Sequence, residues 1–157
     1  MTDQAASHAS PTAHVPIQVK LFSPVLKGLL KAGVPLGFNR LVTIRGRRSG
    51  LPRTAAIAVI ERSGRRWVWA PWGEVNWVRN LRAAGRATIA KGGRLEDVRA
   101  TELSPQQRVE FFRDELGAVA RGIPGGILFI RLVDGVDLNN PVAAAEGRRV
   151  FELYPMK

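Results

Sequence analysis

The sequence predicts a mainly β domain of the α+β class, with about six antiparallel strands closing into a barrel and two to four helices on its outside. Three observations carry this expectation. Short apolar, β-branched runs recur from residue 40 onward, each bounded by glycine-rich turns. Gly92-Gly93 and Ser63-Gly64 are tight-turn pairs between such runs, so neighbouring strands run antiparallel. The chain has 157 residues, which favours one domain, and curling the sheet closed is the simplest way to remove its edges.

Residues 1–15 are polar and rich in Ala, Ser and Thr, and are expected to be a disordered tail ahead of a single domain spanning 16–157. Within 16–35, Ser23-Pro24 reads as an N-cap followed by proline at the first helical position. Phe22, Val25, Leu26, Leu29 and Leu30 form an apolar stripe, and Gly33 and Pro35 end the helix. The preferred reading packs this stripe on the core. The second reading lays residues 17–33 on a membrane surface, with Lys27 and Lys31 at the headgroups.

Leu41–Ile44 reads as the first strand and Thr54–Ile60 as the second, apolar enough to be buried on both faces. Trp67–Ala70 is the third. Asn76 reads as the N-cap of a short helix through Ala84, closed by Gly85. Thr88–Ala90 and Leu95–Leu103 form a hairpin. Ser104-Pro105-Gln106-Gln107 is a capping box, opening a helix that buries Val109, Phe112 and Leu116 and is expected to stop at Gly117. Ile127–Val133 fits strand and helix equally. Asn140-Pro141 opens a short alanine helix, and Val150–Tyr154 is the last strand.

Composition narrows the chemistry. There is no cysteine, which excludes disulfides, thiolate nucleophiles and cysteine-held metals. The two histidines, His8 and His14, lie in the polar tail, so neither a catalytic triad nor a histidine metal centre is expected in the core. No protein residue is expected to act as catalyst, and the chemistry falls to a bound cofactor. Lys+Arg total 24 against 13 Asp+Glu, giving a net charge of +11. Such a balance suits nucleic acid, an anionic membrane or an anionic small molecule. Aromatics are only 7% and are not arranged as an exposed stacking face, so nucleic acid is not an expected partner. Neither a signal peptide nor a spanning apolar stretch is visible, so the expected location is cytoplasmic, with membrane association through 17–33 as the second reading.

The loop Gly46-Arg47-Arg48-Ser49-Gly50-Leu51-Pro52-Arg53 is the densest local signal. Its glycines let the backbone turn sharply and aim successive amides into a concavity. Ser49 adds a hydroxyl, and Arg47, Arg48 and Arg53 add forked, charge-assisted donors. Those are the parts of a phosphate site, and equally of a solvated basic turn. A second group, Ala70-Pro71-Trp72-Gly73 through Asn76-Trp77-Val78-Arg79-Asn80-Leu81-Arg82, follows a strand and opens a helix whose N-terminus favours negative charge. Trp72, on its Pro/Gly loop, is expected to wall a flat ligand. Trp77 and Leu81, four apart, are expected to anchor the helix.

The run Leu-Val-Thr-Ile-Arg-Gly-Arg-Arg-Ser-Gly-Leu-Pro-Arg-Thr at 41–54 resembles the signature of the deazaflavin-dependent nitroreductase and quinone reductase family. Residues 76–83 resemble that family's Trp-x-x-Asn-Leu element, and Val150–Leu153 its closing strand. The resemblance covers 36–103 well and the rest loosely. It implies a split β-barrel and coenzyme F420, a deazaflavin with a phosphodiester and an acidic polyglutamate tail. It also implies hydride transfer to an acceptor of quinone or nitro type.

On that resemblance, Arg47, Arg48, Ser49, Gly50, Pro52, Arg53 and Thr54 would hold the phosphate and tail. Backbone at Ile57, Ala58, Ala70 and Pro71 would line the ring edge, with Trp72, Gly73, Trp77 and Asn80 facing the pocket. FMN in the same barrel is the alternative cofactor, and a non-catalytic F420, FMN or lipid binder is the alternative function. Two departures matter. Pro71-Trp72-Gly73 stands where many relatives have Ser-Lys-Gly. The region from Gly122 to Asn140 is apolar and glycine-rich, and the chain has a single tyrosine, Tyr154. These point to a hydrophobic small-molecule acceptor. A homodimer is a further expectation, carried by no specific residue.

Overall fold

A computed structural model of the protein describes residues 38–157. The expected tail and N-terminal helix lie outside the described residues. The elements run β1 (Asn39–Arg45), β2 (Pro52–Arg62), β3 (Arg65–Ala70), α1 (Asn76–Ala84), β4 (Arg86–Lys91), β5 (Arg94–Glu102), α2 (Pro105–Glu110), a π-helical segment (Phe111–Leu116), α3 (Gly117–Arg121), α4 (Gly126–Asp134), α5 (Pro141–Ala145) and β6 (Arg149–Pro155). The six strands close in the order β1-β2-β3-β6-β5-β4, and every pairing is antiparallel. Closure is made by β1 against β4, with Leu41 opposite Ala90 and Thr43 opposite Thr88.

Alternation along the strands divides the apolar residues into two cores. Val42, Ile44, Ile57, Val59, Val68, Ala70, Val98, Phe151 and Leu153 fill the barrel, with Val78 and Leu81 of α1 plugging it. Ile60, Trp67, Trp69 and Val150 point outward, beneath Phe111, Phe112, Leu116 and Ala120 of the helical layer. The sequence expectation that the second strand is buried on both faces therefore holds. Trp69 meets Phe112 edge-to-face at 5.6 Å. A bidentate pair between Arg65 and Glu152, at 2.8 and 3.0 Å, braces β3 against β6.

Turns and caps follow their local chemistry. Ser63 and Gly64 both take positive φ, as do Gly92 and Gly93, as tight hairpins require. The capping box at Ser104 is complete in both directions. Asn140 caps α5 through Ala143 N–H.

Three boundaries differ from the sequence expectation. The basic loop is shorter, Gly46–Leu51, because Pro52 and Arg53 pair with Arg45 and Ile44 as the start of β2. The cap of α1 is Val75, with no side-chain hydrogen bond, and Asn76 is its first helical residue. Gly117 does not end the third helical segment. Its N–H reaches back five residues to Phe112 O, the mark of a π turn, and a Cβ there would lie 3.0 Å from that same carbonyl. Glycine thus permits the wide turn, and Ala118–Arg121 continue the helix.

Phe112 is fully buried between barrel and helices. Phe112→Ala is expected to cost about 3–5 kcal/mol, read from the urea unfolding midpoint.

Candidate cofactor site

The site is built from the β1–β2 hairpin, the free edge of β2 and the loop that leads from β3 into α1. Within the hairpin most amides are spent on the loop itself. Gly46 N–H donates to Leu51 O at 2.8 Å, and Gly50 N–H to Gly46 O at 2.9 Å. Leu51 N–H reaches Ser49 Oγ at 3.2 Å. Arg47 donates both its N–H, at 3.2 Å, and its Nη1, at 2.8 Å, to Oδ1 of Asn80. A full nest of amides facing an anion, as the sequence suggested, is therefore not formed. Among the described residues the donors left open are the amides of Arg48 and Ser49 and the guanidiniums of Arg45, Arg48 and Arg53. None of those guanidiniums has a carboxylate partner, whereas Arg62, Arg65, Arg66, Arg82 and Arg149 are all paired. Arg45 and Arg86 also line a cleft of about 350 Å³ with Thr43, Gly50, Pro52, Thr88 and Asp97, whose carboxylate accepts from Thr88 Oγ1 at 2.6 Å.

The edge of β2 follows from strand register. Gly46 bonds to Leu51, and Val59 N–H bonds to Phe38 O, so the odd-numbered residues of β2 direct their main chain to β1. The even-numbered residues direct theirs away, toward β3. Pairing with β3 begins only at Val59. The N–H and C=O groups of Thr54 and Ala56 therefore stand on an open edge, and among the described residues no hydrogen bond reaches them. Pro52 lies on this same edge, where its missing N–H costs nothing. Ile57, expected to offer its main chain to a ring, turns it to β1 instead and buries its side chain in the barrel. Thr54 exchanges a hydroxyl hydrogen bond of 2.8 Å with Thr43.

The loop after β3 is held tightly. Gly73 takes φ +77°, and a Cβ there would sit 2.8 Å from Gly147 O. Ala70 O accepts from Gly73 N–H, and Pro71 O accepts from Arg148 Nε at 3.0 Å, so both carbonyls expected to face a ring already have partners. Arg148 also donates to Ala144 O and Gly135 O, each at 3.1 Å. Trp72 is half-buried in this loop. Trp77 packs on the barrel core, 6.4 Å from Phe151, and is the anchor the spacing predicted. Asn80 is 8% exposed and is filled by Arg47.

Negative charge ahead of α1 is the chain's own. Glu74 receives two hydrogen bonds from Arg82, at 2.8 and 3.0 Å, and one from Arg149 at 2.9 Å. Chiefly the Arg82 bonds hold its carboxyl below the usual carboxylate range. Glu102 is lowered by the same guanidinium. Burial raises the Asp134 carboxyl to about 6 against the pull of Arg148.

Sequence reading named Thr54 but not Arg45, which continues the basic run by one residue, nor Ala56 and the open strand edge it shares with Thr54, which only strand register reveals. It also missed Arg148, whose partners lie 4, 13 and 77 residues away.

A closed six-stranded antiparallel barrel with helices packed outside it defines a split-barrel protein. The chain belongs to the F420H(2)-dependent quinone reductase family, whose sequence profile it matches over residues 27–121. It is an F420-dependent reductase, and coenzyme F420 is its cofactor. Among solved structures it is similar to an F420-H2 dependent reductase, FDR-A, at 18% identity over 74% of this chain and 94% of that one, with a TM-score of 0.50. It is also similar to a protein described as a domain-swapped dimer, at 17% identity over 88% of this chain and 95% of that one, with a TM-score of 0.51. At such identities the likeness shows the shared barrel. No curated protein matches the sequence.

Two outcomes are expected from this geometry. Asn80→Ala removes the acceptor that holds Arg47 and should cost about 1.5–3 kcal/mol, with faster hydrogen exchange at the Arg47 amide. Asp134 is held protonated more firmly in the folded chain than in the unfolded one, so stability falls as pH rises from 3.8 to about 6. Asp134→Asn should flatten that window and raise stability at pH 7 by on the order of 2 kcal/mol, measured by urea unfolding across the range.

Proposed function

We propose that the protein reduces an apolar acceptor of quinone or nitro type, with F420 held between the basic hairpin and the open edge of β2. The observation that carries this reading is a cluster of arginines without acidic partners, set beside unpaired main-chain groups on a strand of small side chains. In it Arg48, Ser49 and Arg53 take the phosphate, with Gly50 shaping the turn, and Arg45 and Arg86 take the acidic tail. Thr54 and Ala56 offer main-chain donors and acceptors to the ring edge, and the half-buried Trp72 offers an apolar wall. Arg47 is a positioning residue: tied to Asn80, it fixes the hairpin against α1.

When bound, the reduced cofactor supplies a hydride, and water supplies the proton that completes the acceptor's reduction. The chain's own contribution is orientation. A titratable side chain at the reacting atoms is not required. A homodimer belongs to the same reading, supported by the likeness to the domain-swapped dimer.

Fluorescence titration with F420 and with FMN tests the site. F420 should bind at micromolar or lower concentration and FMN far more weakly. Arg48→Ala and Arg53→Ala should each weaken F420 about tenfold or more, the loss expected for a charge-assisted hydrogen bond. Unchanged affinity in both variants overturns the assignment of the loop. Turnover confined to small polar acceptors overturns the assignment of the acceptor.

A further inference from the structure

α4 presents its apolar side to solvent. It turns Ile127 and Ile130 toward the helical core. Leu128, Phe129, Leu132 and Val133, on its other side, are 58%, 62%, 75% and 49% exposed. Their spacing of one and four residues gathers them into a single stripe. Contiguous exposed apolar surface of this kind marks an interaction site. Beside the stripe lies an open cleft of about 480 Å³, with Ile123, Pro124, Ile127 and Leu128 as its apolar lining and Arg121 and Arg131 as its cations. Among the described residues neither arginine has an ion pair. Asp114, the acid whose charge acts on Arg121, is bonded to Arg113.

We propose that α4 and this cleft form a docking face for an anionic lipid surface. An apolar helical stripe flanked by unpaired arginines is the pattern of a helix lying in a bilayer interface, and the net charge of +11 adds long-range attraction to anionic headgroups. Charge decides between occupants. A second copy of this chain would set Arg121 and Arg131 against an equally basic protein, whereas phosphate headgroups complement them. α4 and Arg131 lie beyond residues 27–121, the part matched by the family profile, and only the cleft's Arg121 edge falls within it. The face is also joined to the cofactor site. Arg148 bonds the carbonyl of Gly135, which caps α4, and the carbonyl of Pro71, in the loop that carries Trp72. Lipid binding through α4 requires no F420 and stands independently of the acceptor assignment.

The test is flotation of the full chain with vesicles of phosphatidylcholine alone and of phosphatidylcholine mixed equally with phosphatidylglycerol. Binding is expected to the anionic vesicles only. Phe129→Glu/Leu132→Glu should abolish it. Arg121→Gln and Arg131→Gln should each weaken it about fivefold, as for one cation at an anionic surface. These side chains are exposed, so F420 affinity and the far-ultraviolet spectrum should be unchanged. Equal vesicle binding by the Phe129→Glu/Leu132→Glu variant would move the contact elsewhere, residues 17–33 included, and overturn the proposal. Failure to bind anionic vesicles would do the same. So would a shift from oligomer to monomer in that variant, which would make the stripe an interface between copies.

Discussion

Strand β2 runs eleven residues and β3 only six, so they pair from Val59 to Arg62 and part below it. Much of what distinguishes this barrel depends on that mismatch. β1 has both edges taken, by β2 and β4, and contributes nothing open over that stretch. The overhang of β2 leaves main-chain groups at Thr54 and Ala56 without partners. Unpaired backbone is costly to bury and invites partners when exposed. A strand edge of this kind persists where it is short, begins with a proline and has something to bind. Ala55, Ala56 and Ala58 keep the edge low, so a flat ring can approach the main chain without meeting bulky side chains.

The second requirement is a fixed position for the basic hairpin relative to that edge. A six-residue loop carrying exposed arginines would be mobile if only its own hydrogen bonds held it. Asn80 removes that freedom by receiving both the amide and the guanidinium of Arg47. Asn80 is itself rigid because Val78 and Leu81 sit in the barrel mouth. The β3–α1 loop is tied to the same helix by Glu74 and Arg82, so one short helix holds both the hairpin and that loop. The sequence assigned Asn80 to the pocket and Arg47 to the phosphate. The structure joins them to each other and leaves the outward positions to Arg48 and Arg53.

Elements with a local cause were legible. Hairpin glycines, the Ser104 capping box, the Asn140 cap and the Trp67–Ala70 strand each declare themselves within a few residues. What was not legible depended on distant partners. Whether Ile57 or Ala56 offers its main chain to a ligand is a matter of parity in the β1–β2 ladder. Gly117 looked like a helix stop because glycine usually is one, and only the approach of Phe112 O explains its place inside a π turn. Arg148 preceded a strand with no local mark of its task. Ile127–Val133 was ambiguous because a helix exposed on an apolar face lacks the amphipathic period that would identify it.

The distribution of charge links these parts. Acids are scarce, and the bonding in the barrel spends many of them on particular arginines: Glu152 on Arg65, Glu96 on Arg66, Glu115 on Arg62, Glu74 and Glu102 on Arg82 and Arg149. Those pairs brace strands and loops and leave little net field. Among the described residues, arginines without a carboxylate partner lie at the hairpin with β4, at the cleft beside α4, and on β5 at Arg94 and Arg99, the latter over the Tyr154 ring. Arginine in excess across a whole genome would be scattered. Here it stands unpaired beside an open strand edge and again beside an exposed apolar helix, so positive charge accompanies two of the uncovered surfaces among the described residues. Arg148 ties the loop after β3, at Pro71, to the end of α4, at Gly135, and to Ala144 of α5. On the two proposed readings, an anionic ligand at the hairpin side and an anionic surface at α4 would lie to either side of this one bracing side chain, which holds both the loop of Trp72 and the end of α4.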